Sequence, residues 1–221
     1  MRKVFCCILS FVCIFFLNAC RSTGTTDTDG ISSATEERYQ ELEIREYNGI
    51  RLDPSIGPRD NSIQGIQEVD INSYVLKVSG LVEKPDSLRY EDVLALPSYE
   101  KLITLYCVEG WEATVLWKGV LLKDIIDLAG ADGKANTVIF HSVDGYTTSQ
   151  PLQNIIDKNM ILAYSANKLD LPPALGYPFI VVAEDKPGYK WARWVNEIEL
   201  SDNEEYEGYW ESRGYSDQVE E

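Results

Sequence analysis

The chain has 221 residues, 44% of them hydrophobic, which is enough for one sizeable buried core. Its formal net charge is −16, from 36 acidic against 20 basic side chains. A surface this acidic repels nucleic acid and anionic lipid head groups, so neither is an expected partner, and a charged substrate would need a local basic pocket.

The chain opens MRKVFCCILSFVCIFFLNAC. Arg2 and Lys3 precede an uncharged apolar stretch from Val4 to Leu17, too short for a comfortable membrane span and ordered like a secretory signal. Leu17-Asn18-Ala19-Cys20 resembles the bacterial lipobox, so residues 1–19 are expected to leave as a signal peptide and Cys20 to carry lipid. Losing the two basic residues takes the charge from −16 to −18 and leaves the lipid to do the anchoring. An uncleaved N-terminal anchor is the alternative. In both cases the rest of the chain is extracytoplasmic and held at a bacterial membrane. Residues 20–46 are rich in Ser, Thr, Gly and acid with almost no apolar periodicity, and read as the lipidated Cys20 followed by a flexible tether.

The compact part is expected over residues 47–200, beginning with a loop-like stretch to Val69. YVLKV, Tyr74 to Val78, alternates as a strand and ends in a turn at Gly80. Tyr90 to Leu96 reads as a short helix stopped by Pro97, and KLITLYC as an apolar strand that delivers Cys107 at or just past its end. Leu121, Leu122, Ile125, Ile126 and Leu128 recur at helical spacing before Gly130. TVIF predicts a buried strand, DGY a turn, PLQNIID a helix, and ILAY, PFIVVA and WVNEIEL further strands. Helices and strands mix without regular βα alternation, so the fold class is α+β with a mixed sheet in a single domain. Residues 201–221 read as an acidic tail, too short to be another domain.

Cysteine usage raises the chemical question. Of five cysteines, Cys6, Cys7 and Cys13 leave with the signal and Cys20 is taken by lipid, so Cys107 has no partner for a disulfide. It is a buried inert thiol, a nucleophile or a metal ligand. The sole histidine, His141, is distant in sequence, and one Cys with one His makes no zinc cluster. A soft metal that brings most of its own ligands remains open. His141 reads as a strand residue with an ordinary hydrogen bond, and Trp111 and Trp117 as core.

YVLKVSGLVEKPDSLRYEDVLALPSYEKLITLYCVEGWEATVLWKGVLLKDIIDLAG resembles the molybdopterin-binding domain of the sulfite oxidase family, in particular its small bacterial branch with the periplasmic methionine-sulfoxide reductases. FHSVDGYTTSQPL, LAYSANKLDLPPALGYPFIVV and KPGYKWARWVNEIEL follow in the family's order, so the likeness runs from about Tyr74 to Leu200. The resemblance implies a molybdenum-molybdopterin cofactor, with Cys107 as the protein's thiolate ligand to the metal beside the pterin's own sulfurs. It also implies cofactor contacts from Asn61, Ser142, Lys190, Trp191 and Arg193, the last suited to the pterin phosphate. One departure stands out: the family's Asn-Gly-x-Pro-x-Arg aligns with Leu175-Gly176-Tyr177-Pro178-Phe179-Ile180, which puts apolar residues at two polar contact positions.

By this resemblance the chain is an oxidoreductase that transfers an oxygen atom with two electrons on a small oxo-compound or sulfoxide. Electrons would pass through a separate redox partner such as a membrane cytochrome, because Cys-x-x-Cys-His is absent from the sequence. The alternative is a non-enzymatic binding lipoprotein that keeps the fold without the metal.

Overall fold

The computed structural model describes residues 33–55, 62–107 and 110–216. The expected signal peptide (residues 1–19), Cys20 and Asn61 lie outside the described residues. The chain runs α1 (Ser33–Leu42), β1 (Glu46–Tyr47), β2 (Ile50–Arg51), β3 (Leu76–Gly80), β4 (Asp86–Leu88), α2 (Tyr90–Leu94) and β5 (Ser98–Tyr106). It continues through β6 (Glu112–Leu121), α3 (Leu122–Ala129), β7 (Thr137–Ser142), β8 (Thr147–Pro151), α4 (Leu152–Asp157) and β9 (Ile161–Ala166). β10 (Leu169–Asp170), β11 (Ile180–Val182) and β12 (Val195–Ser201) complete the strands, with a 3-10 turn at Gly188–Lys190 between the last two.

Two five-stranded sheets form the body. One has the order β10-β9-β6-β5 with β11 also on β9; the other has the order β4-β3-β12-β7-β8. The second is mixed, because β12 pairs parallel with β3 and antiparallel with β7. Inward residues of both sheets join one core: Leu76 and Val78 of β3, Phe140 of β7 and Ile198 of β12 pack in the same cluster as Trp117, Leu162 and Val181. The α+β class with a mixed sheet is therefore observed.

Local sequence explains the elements. In α3 the buried stripe is Leu122, Ile125, Ile126 and Ala129, the i, i+3, i+4, i+7 face of a helix. Leu128, expected on that stripe, falls off it and is 50% exposed. β6, a ten-residue strand in the middle of its sheet, is not among the expected elements. Gly119 permits its close approach to β9: a Cβ there would stand 2.2 Å from the Leu162 carbonyl oxygen.

The expected tether and tail both require correction. Residues 33–42 form α1, and the buried Tyr39 donates its hydroxyl to the Asp170 carbonyl. Glu43 follows, buried, and accepts from Ser55 N (2.9 Å), Ser55 Oγ (2.7 Å) and Asn167 Nδ2 (3.0 Å). One aromatic and one buried, fully hydrogen-bonded carboxylate thus dock a segment whose composition alone reads as unstructured. At the other end, Tyr206 to Ser216 packs on β8 and on the Gly188–Lys190 turn rather than projecting into solvent.

Candidate active site

β5 and β6 pair antiparallel from Ser98↔Val120 to Tyr106↔Glu112, and Cys107 is the first residue of the turn that joins them. Its amide donates to the Trp111 carbonyl at 2.9 Å, and its carbonyl accepts from Gly110 N–H at 3.0 Å. Gly110 adopts φ 84°, a left-handed conformation that glycine takes without steric cost. The apolar strand therefore presents a half-buried Cys107 just past its end, as its sequence predicts.

A second loop lies against that turn. Tyr106 bridges Pro187, and the next residue, Gly188, lies in ordinary contact range: a Cβ on it would be 3.4 Å from the Tyr106 carbonyl oxygen and 3.9 Å from Cys107 Cα. Trp191 and Arg193 follow on the same loop. The Trp191 ring packs on Trp117 with centroids 5.5 Å apart, and its Nε1 donates to the Lys186 carbonyl at 3.2 Å. Arg193 donates from Nη1 to the Ala174 carbonyl at 3.1 Å. Gly176, at φ 107°, leaves room for it: a Cβ there would be 3.0 Å from Arg193 Cβ.

A narrow cleft of about 20 Å³ opens beside this loop, with Arg193, Trp191, Trp194, Asp144, Tyr146 and Trp210 in its walls. The buried Asp144 carboxylate accepts from Tyr146 N–H (3.0 Å) and Ile63 N–H (3.3 Å), which holds the predicted DGY turn in shape. The Tyr146 hydroxyl donates to the Tyr189 carbonyl. Burial first, and the Glu211 charge second, push its pKa far up, so it serves as a donor rather than a base near neutral pH. Ser142 closes the same turn, its N–H donating to the Tyr146 carbonyl at 2.9 Å. Its hydroxyl is buried with no hydrogen-bond partner among the described residues.

The structure thus brings Cys107, Trp191 and Arg193 onto two touching loops, with Ser142 in the turn that supplies Asp144 and Tyr146. It does not bring the Lys190 side chain into the cleft: that side chain is 1% exposed and its ammonium pairs with Glu211 at 2.6 Å. His141 points to the other face of β7, with Nε2 2.8 Å from Glu199. Trp117 is core. Asp144, Trp194, Trp210 and Glu211 were not foreseen. DGY was legible as a turn, but nothing local marks the other three.

Among the described residues no cluster of three or more His, Cys, Asp or Glu could hold a metal by itself, so a metal at Cys107 must arrive with other ligands. The donor types present suit a molybdopterin: a half-buried thiol at Cys107, an unsatisfied buried hydroxyl at Ser142 and, alone of the three in the cleft wall, the Arg193 guanidinium for an anionic group.

Comparison with known proteins agrees. Residues 63–210 match the family model described as Oxidoreductase molybdopterin binding domain. The chain is 37% identical over 147 residues to the Uncharacterized oxidoreductase YuiH of Bacillus subtilis, covering 66% of this chain and 74% of that protein. To the protein-methionine-sulfoxide reductase catalytic subunit MsrP of Campylobacter jejuni it is 27% identical over 163 residues, covering 66% of this chain and 54% of the relative. To mitochondrial sulfite oxidase of Mus musculus it is 28% identical over 181 residues, covering 68% of this chain but 33% of that one. The chain therefore spans about half or less of the latter two. Among solved structures, the sulfane dehydrogenase SoxCD from Paracoccus pantotrophus superposes with a TM-score of 0.60 at 24% identity, over 63% of this chain and 41% of its own, a likeness of fold. The fold is the sulfite-oxidase-type molybdopterin-binding fold, and the chain belongs to the oxidoreductase molybdopterin binding domain family, enzymes that work with a molybdenum-pterin cofactor.

Proposed function

We propose that this protein reduces a neutral sulfoxide or similar small oxo-compound, held at the outer side of a bacterial membrane by lipid on Cys20. The observation that carries the reading is Cys107: a half-buried residue at the start of the hairpin turn, its backbone beside the loop that leads to Arg193. Bound there, the molybdenum-pterin supplies two-electron oxygen-atom transfer. The chain's own part is to hold it and shape its surroundings. Cys107 provides the thiolate, Ser142 a hydroxyl toward the pterin and Arg193 the charge for its phosphate, with Trp191 as apolar wall. Asn61 belongs to the same set by resemblance. Lys190 contributes through its backbone position, since its ammonium is engaged by Glu211.

Charge favours a neutral substrate. Among the cations that could have gathered at the site, Lys190 is neutralised and Arg193 alone lines the cleft among the described residues. Beyond the Trp210 wall lies a depression edged by Glu204, Glu205 and Glu207, which repels sulfite or nitrate more than a sulfoxide. In the reaction the sulfur–oxygen bond breaks, sulfur gains two electrons from a separate redox partner, and the oxygen leaves as water with two protons from solvent. A membrane cytochrome suits the partner's role. Because α1 is docked, only residues 21–32 separate the lipid from the folded part, which limits the stand-off to about 40 Å.

An anaerobic assay with a reduced viologen dye and methionine sulfoxide tests this on protein purified from its own membrane. Wild type consumes dye, while Cys107→Ser does so at background rate with its melting temperature unchanged. Equal turnover by the two, or wild type without molybdenum, overturns the reading. A fold retained for binding without metal is the second reading. It is favoured by Ile180, which is fully buried in β11 where the family pattern has an arginine.

A further inference from the structure

The segment after β12 is stitched to the site's own loops. Tyr209 N–H donates to the Thr147 carbonyl at 2.9 Å, and Gly208 lies so near β8 that a Cβ would be 2.2 Å from the Thr147 oxygen. The Tyr189 hydroxyl donates to the Ser216 carbonyl at 2.9 Å. Trp210 is held edge-on between Tyr209 (5.1 Å) and Tyr215 (4.9 Å), and so stands as a wall of the cleft.

Next to Trp210 is the ion pair of Glu211 with Lys190, their side chains 8% and 1% exposed. The Thr148 hydroxyl donates to the same Glu211 oxygen, while Oε2 is buried without a hydrogen-bond partner among the described residues. A buried pair with one oxygen unsatisfied is a poor stability device, since an apolar pair of like volume does as well or better. Its effect is geometric. Lys190 ends the 3-10 turn that Gly188 begins against Cys107, and it directly precedes Trp191 and Arg193. Glu211 therefore pins, from the C-terminal side, the loop that carries the cofactor-facing residues.

We propose that Glu211 is a positioning residue of the cofactor site and Trp210 part of its wall, so that the segment from Tyr206 to Ser216 is built into the cleft. This rests on the functional reading above. Glu211 acts as an outer support for a metal site whose ligand, Cys107, it never touches.

The test uses full-length protein from its own membrane, with amide hydrogen exchange of residues 186–194 and of α3 measured alongside molybdenum per protein. For Glu211→Gln, exchange over 186–194 rises about tenfold with α3 unchanged, and molybdenum falls to roughly half or less. Glu211→Asp, which keeps the charge, restores part of both. Wild-type exchange and wild-type molybdenum in Glu211→Gln overturn the proposal. If α3 also loosens in that variant, Trp210→Ala decides, because it leaves the ion pair intact: selective loosening of 186–194 with metal loss supports the proposal, and wild-type values on both overturn it. Wild-type protein devoid of molybdenum overturns the functional reading instead, and the exchange comparison still judges the positioning.

Discussion

Glu43 and Glu211 are both buried carboxylates supplied by segments outside the strand-rich centre, and they are satisfied very differently. Glu43 accepts from Ser55 twice and from Asn167, and meets Arg45 at 2.8 Å. Asn167 in turn accepts from Leu116 N–H at 3.0 Å, so the N-terminal segment is clamped to β6 through a complete network. Glu211 crowds Lys190 and Thr148 onto one oxygen and leaves the other with none. Full satisfaction marks a clamp that stabilises; partial satisfaction lies beside the cleft, where placing a loop matters more than stability.

Alanine substitutions measure that contrast. Glu43→Ala strands three donors in the interior and is expected to cost about 3 kcal/mol, or about 9 °C in melting temperature, with molybdenum content unchanged. Glu211→Ala alone strands the buried Lys190 ammonium and is expected to cost about 3 to 5 kcal/mol, so the contrast is read against removal of the whole pair. A Glu43→Ala loss below about 1 kcal/mol in thermal unfolding would break the comparison. Removing both members of the other pair, Lys190→Met with Glu211→Leu, should leave stability within about 1 kcal/mol of wild type, because no uncompensated charge stays buried. A loss as large as that of Glu43→Ala would make the pair a clamp after all.

The smallest effect is a pH dependence at the N-terminal clamp. Burial, with the nearby Asp170 and Glu43 charges adding and Arg38 opposing, raises the Tyr39 pKa to about 12. The unfolded phenol ionises near 10, so Tyr39's contribution is intact below about pH 10 and is lost as pH rises toward about 12. Tyr90, also raised to about 12 by burial, adds to the same fall. Chemical unfolding at about pH 9 and about pH 11.5 should therefore show a shallower decline for Tyr39→Phe than for wild type, and identical slopes would contradict the assignment.

How much was legible in the sequence follows from how local each signal is. β5, α3 and β12 carry their periodicity in a single window, and the order of motifs around Cys107 identified the family and nominated Cys107 as the ligand. β6 did not announce itself. Its residues in EATVLWKGVL follow no clean alternation, its burial comes from β5 on one side and β9 on the other, and the bulge at Lys118 and Gly119 breaks its register. The docked ends were misread for a related reason. Tyr39, Glu43, Trp210 and Glu211 are single residues in polar surroundings, each anchored by a partner far off in the chain. Lys190 reads in sequence as a cofactor contact, and no local pattern reveals that its ammonium is committed to a carboxylate 21 residues later.

The central claim is that one protein sulfur binds a pterin-held metal at the β5 to β6 hairpin. Molybdenum-edge X-ray absorption of natively purified protein tests it most directly. Wild type is predicted to show one sulfur neighbour beyond those of the pterin, and Cys107→Ser to lack that neighbour. A wild-type spectrum with pterin sulfurs alone, or one unaltered by Cys107→Ser, would contradict the claim.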